Sequence, residues 1–162
     1  MRKVLFLAVA LVLAVNLAMA SSIEGEIREF AMREYPNDSN MQQYTYKKQI
    51  DAYNYLVTVK DPAVKESASR EYPYDYAMQK YAYDKQLAAK RYMETVGDAE
   101  VKKLADREYP DDYSMQKYTY DKQLSAKSYM SSVTNQSAKS RSVREYPYDY
   151  SMQKYTYDKL AY

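Results

Sequence analysis

Tyrosine is where this chain concentrates its chemical potential, with 22 Tyr against 2 Phe and no Trp. A phenol ring can stack on a ligand, donate and accept hydrogen bonds, or couple oxidatively to another ring. The tyrosines are not scattered. Tyr74, Tyr76, Tyr81 and Tyr83 recur as Tyr113, Tyr118 and Tyr120, and again as Tyr148, Tyr150, Tyr155 and Tyr157. These eleven rings are the candidate binding residues. Three uses compete for them: packing between helices, a stacking face for a glycan, a peptide or another helix, and cross-linking into an extracellular matrix. Packing is the first expectation, because the same columns repeat at helical spacing. Acidic neighbours such as Glu71-Tyr72 and Asp75-Tyr76 would also suit sulfation on a eukaryotic secretory route.

Other chemistry finds little to work with. The chain has no His and no Cys, which removes the commonest acid-base group and the commonest soft metal ligands. It has no Gly-x-Ser-x-Gly elbow and no Gly-rich phosphate loop. No catalytic residue and no cofactor is therefore expected. A metal would need a carboxylate-only site. Asp111-Asp112, and Asp98 with Glu100, lack calcium-loop spacing and read as helix-start charges, so no metal site is expected. Met41, Met78, Met115 and Met152 share one column, and in an aromatic stripe Met is read as packing rather than as a copper(I) ligand.

These residues are positioned by a repeat. Arg107-Glu108-Tyr109-Pro110 opens its clearest copy, and the other copies open at Arg33, Arg70 and Arg144, each 37 residues after the last. A fixed period of this size marks a repeat architecture. Units begin near Pro36, Pro73, Pro110 and Pro147, and the last is cut short at Tyr162. The prolines suit the first turn of a new helix, with Asp38, Asp75, Asp112 and Asp149 two residues later. Gly97-Asp98, Lys60-Asp61-Pro62 and Thr134-Asn135 mark a second break within the units. Each unit therefore reads as a long helix, a turn and a short helix.

Within the long helix, Tyr74, Met78, Tyr81, Lys85, Ala88/Ala89, Tyr92 and Val96 form one stripe, and Tyr76, Tyr83 and Leu87 a second. Gln79 and Gln86 fall on a flank between them. Two stripes suit a helix held between neighbours. The Arg-Glu before each Tyr-Pro is a candidate ion pair at the turn between units. Tyr-Thr-Tyr alternation favours strand locally, but Met115-Gln116-Lys117 breaks it. The expected fold is all-α: tandem 37-residue helix-turn-helix repeats, one long and one short helix per unit, forming a small solenoid or helical array.

The start of the chain addresses its compartment. Arg2-Lys3 is a basic n-region, residues 4–17 are apolar apart from Asn16, and Ala18-Met19-Ala20 is a small-x-small cleavage site. Residues 1–20 read as a signal peptide, leaving residues 21–162 as a single repeat domain that is secreted or periplasmic. Removing Arg2 and Lys3 from 24 basic side chains leaves a chain balanced against 22 acidic ones. That balance argues against nucleic acid, and no stable membrane anchor is expected after cleavage. The expected function is a non-enzymatic binding or scaffolding module. The alternative is a structural matrix or adhesive protein with cross-linked tyrosines. The partner is a protein, peptide or glycan, with self-association through the open C-terminal repeat also expected. N-terminal sequencing of the exported protein is expected to begin at Ser21; a start at Met1 would contradict the signal peptide.

Overall fold

The computed structural model describes residues 22–161, and all regular structure among them is α-helical. The expected signal segment, residues 1–20, lies outside the described residues. Helix α1 covers residues 22–34. It is followed by α2 (Ser39–Thr58), α3 (Pro62–Glu71), α4 (Tyr76–Thr95), α5 (Ala99–Glu108), α6 (Tyr113–Ser132), α7 (Gln136–Glu145) and α8 (Tyr150–Leu160). Long and short helices alternate at the 37-residue period. The local strand propensity of Tyr-Thr-Tyr yields to the helical context, and no strand occurs among the described residues.

Capping explains where the helices begin. The expected Pro-first start is corrected by three residues at Pro73. Pro73 and Tyr74 lie in the turn, and α4 begins at Tyr76. Asp38, Asp112 and Asp149 are the N-caps of α2, α6 and α8; each carboxylate accepts from a backbone N–H three residues on. Asp75 makes the same bond to the Met78 N–H at 2.9 Å. Such a cap is worth about 1 kcal/mol. The short helices use Asp61, Asp98 and Asn135 in the same way, and Pro62 occupies the first turn of α3. Each short helix then ends where its C-cap Tyr72, Tyr109 or Tyr146 precedes proline.

The chain forms two compact units, one up to Tyr83 and the other from Asp84. In the first, Ile27, Ala31, Ala52, Leu56, Val64 and Ala68 are buried. In the second, α6 packs on α5 and α8, and α8 packs also on α7. Met93, Val101, Ala105 and Tyr120 form one core cluster there, and Met130, Ala138 and Tyr157 another.

The buried face of the long helix differs from the expected stripes. Tyr74, Tyr81, Lys85 and Ala88 are exposed, whereas Gln79, Ala82, Tyr83, Gln86, Ala89 and Met93 are buried. Small Ala and Thr side chains let neighbouring backbones approach, and the buried amides are hydrogen-bonded. Two glutamine columns, seven residues apart, do this. Gln42, Gln79, Gln116 and Gln153 each donate from Nε2 to the carbonyl of the Tyr before proline, at 2.6 to 2.7 Å. Gln49, Gln86 and Gln123 reach into the next repeat. Their Nε2 atoms donate to the N-cap carboxylates of Asp75, Asp112 and Asp149 at 2.8 to 2.9 Å. Their Oε1 atoms accept from the N–H of Ala77, Ser114 and Ser151 at 3.0 to 3.1 Å. One amide thus satisfies both a cap and an orphan donor of the following helix. The Ser114 and Ser151 hydroxyls have no partner, and Ala77 fills that column without leaving one.

The Arg-Glu pairs are not buried: Arg33, Arg70, Arg107 and Arg144 are all exposed, as are the glutamates that follow them. A turn at the surface lets both charges keep their water. The fourth repeat carries Leu160 where the others carry the clipping glutamine. Gln123→Leu would copy that residue into the third repeat and strip partners from Asp149 and the Ser151 N–H. It is expected to cost about 2–3 kcal/mol, read from denaturant unfolding with native helical circular dichroism retained. An unchanged unfolding midpoint would contradict the clip.

Candidate functional site: sorted tyrosines and twin clefts

Ten of the eleven candidate tyrosines fall into three environments, and Tyr113 stands apart from them. Tyr83, Tyr120 and Tyr157 are buried. The hydroxyl oxygens of Tyr120 and Tyr157 accept from the N–H groups of Asp98 and Asn135 at 3.2 and 3.3 Å. These rings pin the start of a short helix and are committed to the fold.

Against the last two rests a second tyrosine of the preceding long helix. Tyr92 meets Tyr120 edge-to-face with centroids 6.3 Å apart, and Tyr129 meets Tyr157 at 6.2 Å. Their hydroxyls donate to Asp121 and Asp158 at 2.6 Å. Lys117 and Lys154 lie over the same rings, 4.4 Å from the centroids, and pair with the same carboxylates. In the first unit Tyr55 meets Tyr83 in the same way, beneath Lys80. Exposure keeps each ion pair to a few tenths of a kcal/mol, so these clusters orient rings more than they stabilise helices.

The second environment is open. Tyr81, Tyr118 and Tyr155 are 60%, 60% and 53% exposed. Tyr44 belongs to the same column and is 62% exposed, yet the sequence did not single it out. Each sits mid-helix, so its backbone is held while its ring faces water.

The third environment is a cleft, present once in each compact unit. In the second unit the short helix α5 supplies Glu100, Leu104 and Arg107, and the turn before α8 and its first residue supply Tyr148 and Tyr150, around a cavity of about 230 Å³. In the first unit Glu26, Phe30, Arg33, Tyr74 and Tyr76 line a cavity of about 260 Å³. These are the same columns, two repeats apart. Tyr74 and Tyr148 are the most exposed of the large apolar side chains, at 71% and 70%. The inner wall ring is supported in each. Tyr150 donates to Glu100 at 2.8 Å and lies 5.1 Å beneath the Lys127 ammonium. Tyr76 is met edge-on by Tyr53 at 5.2 Å. Tyr113, in the intervening repeat, is half-buried with Lys90 5.3 Å from its ring centroid. Sequence reasoning found the cleft tyrosines but missed their partners Glu26, Glu100, Arg33, Arg107, Phe30 and Leu104. Comparing repeats two apart, rather than adjacent ones, would have found them.

Electrostatics tune these rims. Lys127 bridges Asp98 at 2.9 Å and Glu100 at 2.8 Å. The Lys127 ammonium, with the Tyr150 hydroxyl, holds the Glu100 carboxyl below its ordinary value. Lys127, with the Val101 N–H, does the same for Asp98. Lys154 and Tyr129 lower Asp158. For Asp121, burial pushes upward but is outweighed by Lys117 and Tyr92. Burial raises Tyr76 and Tyr150, helped by Glu26 and Glu100, so both phenols are neutral at physiological pH.

A depressed carboxyl contributes stability that is present above its unfolded value and lost as pH falls through the folded one. Thermal midpoints are therefore expected to hold from neutrality to about pH 5 and to decline below about pH 4. The raised phenols contribute below about pH 10 and lose their contribution above it. A midpoint that rises on acidification through this window would contradict the pairing. The residues 22–161 contain no helix long and apolar enough to cross a membrane. The chain matches no protein-family model, no curated protein and no solved structure.

Proposed function

We propose that the chain is an exported, non-enzymatic module that binds a partner through tyrosine rings held at fixed positions on helices. The observation that carries this reading is the uniform exposure of Tyr44, Tyr81, Tyr118 and Tyr155. Packing accounts for the buried column of the same helices and leaves these four rings facing water, with Lys159 over the Tyr155 ring at 4.2 Å. A Tyr ring on a helix has few rotamers to lose, so its large surface is offered at low entropic cost. Tyr74 and Tyr148 add an open ring to the cleft of each unit. Export rests on the signal-like start.

A second reading draws on the same exposed column. Two exposed phenols can each lose one electron and one proton and join through a carbon–carbon bond. Hydrogen peroxide with a peroxidase would accept both and leave as two waters. The product is a cross-linked matrix protein. Self-association through the C-terminal repeat would proceed without the glutamine clip, since Leu160 offers no amide.

The two readings separate experimentally. A binding module is expected to give specific signals on glycan and peptide arrays that vanish when Tyr44, Tyr81, Tyr118 and Tyr155, or Tyr74 and Tyr148, are changed to Ala, with helical circular dichroism preserved. Dityrosine fluorescence and covalent oligomers in material from the native source, with blank arrays, would replace binding by cross-linking.

A further inference from the structure

The twin clefts carry the tyrosine-binding reading one step further and rest on it. We infer that they are two equivalent sites for the neutral pyranose rings of a glycan. Columns that pack the fold are kept in successive repeats: the clipping glutamine at positions 49, 86 and 123, the small buried residue at 68, 105 and 142, and the buried tyrosine at 83, 120 and 157. The arginine and inner tyrosine columns of the clefts are kept as well, at positions 33, 70 and 107 and at 76, 113 and 150, but three other cleft columns alternate. Glu26 and Glu100 match, but Ala63 stands between them. Phe30 and Leu104 are both apolar, but Ser67 stands between them. Tyr74 and Tyr148 match, but Asp111 stands between them. A carboxylate, an apolar floor and an open ring are lost together in the intervening repeat, which still folds. These three features are therefore not required by the helix-turn-helix unit, and they come as a set.

The set has a definite chemical bias. An open tyrosine face beside an apolar floor suits the flat C–H face of a sugar ring, while a few convergent polar groups fix its orientation. The rim carries one guanidinium, Arg33 or Arg107, and one carboxylate, Glu26 or Glu100. A guanidinium only donates and a carboxylate only accepts. Vicinal hydroxyls do both, so one pyranose can satisfy the pair. A purely apolar or aromatic side chain would offer neither group a hydrogen bond.

Charge argues for a neutral ligand. The cleft column that holds Glu29 in the first unit holds Lys103 in the second. An anionic ligand attracted at one cleft would be opposed at the other, and the reverse holds for a cation. Only a ligand without net charge meets the same attraction at both. Glu100, although bonded by Lys127 and Tyr150, remains 62% exposed and can accept further bonds from hydroxyls.

Calorimetric titration of the full chain with neutral hexaoses (cellohexaose, maltohexaose, laminarihexaose and mannohexaose), with hexagalacturonate as the charged counterpart, tests this. At least one neutral hexaose is expected to bind at two sites per chain. Tyr74→Ala or Tyr148→Ala should remove one site each, and the double variant should abolish binding. Arg33→Gln with Arg107→Gln should weaken binding at least ten-fold while leaving helical circular dichroism unchanged. Lys122→Ala, at an exposed position that lines neither cleft, should have no effect. The inference is overturned if no neutral hexaose binds, if hexagalacturonate binds in preference, or if neutral binding survives the double tyrosine variant. If the neutral sugars fail but a peptide array still gives tyrosine-dependent binding, the glycan assignment falls and the binding module stands. Blank arrays with blank titrations remove both.

Discussion

One side-chain amide holds successive repeats in register. Each long helix opens with an aspartate that caps its own third N–H, which leaves the carboxylate in need of further donors and the first turn with an orphan N–H. Gln49, Gln86 and Gln123 meet both needs at once, donating to the carboxylate and accepting from the backbone. An apolar side chain would fill the space but strip the first-turn N–H of its acceptor and the carboxylate of one of its donors. The clip also fixes geometry, because the glutamine must lie seven residues past the one that closes its own turn. At that spacing both amides share one helix face. Length of the long helix, its rotation and the place where the next one starts are tied together by this one requirement.

That constraint decides what the tyrosines are for. With Gln and Ala on the helix–helix face, a ring needs room beside it, and only the column of Tyr83, Tyr120 and Tyr157 finds that room. In the second unit the hydroxyl of this column closes the start of a short helix. The ring two residues earlier points away from this face and stays in water. Each such pair therefore splits into one buried and one exposed tyrosine. The paired Lys and Asp near Tyr92 and Tyr129 keep those rings in place at the surface. A scaffold built this way can vary its unneeded columns without loss of register, and the clefts vary in those columns.

Much of the helical unit is legible in the order of residues alone. Asp75, Asp98 and Asn135 mark starts because a short polar side chain can reach a free N–H, and Tyr72-Pro73 marks an end because proline bars helix from the residue before it. The buried face is misread from sequence for an equally physical reason. Gln79 and Gln86 look polar in isolation, and nothing local reveals that a carbonyl will satisfy the first and an aspartate 26 residues away the second. Tyr81 looks like core by periodicity, yet the adjacent Ala82 and Tyr83 occupy the contact instead. The Arg-Glu pairs, recurrent as they are, stay at the surface where both charges remain solvated.

Repeat length, the alternation of long and short helices, their caps, and the lack of the histidine and cysteine on which much catalysis relies are all properties of the linear chain. They follow from local backbone preferences and from composition, which need no knowledge of distant partners. Which tyrosines are covered and which are open is a matter of tertiary structure. So is the meeting of Glu100 and Tyr150, 50 residues apart, on one cleft rim. Exposure and convergence depend on how one helix lies against another, and that depends on amides whose partners sit in the next repeat. The same ring type at the same local spacing can therefore be core in one column and exposed surface in the next.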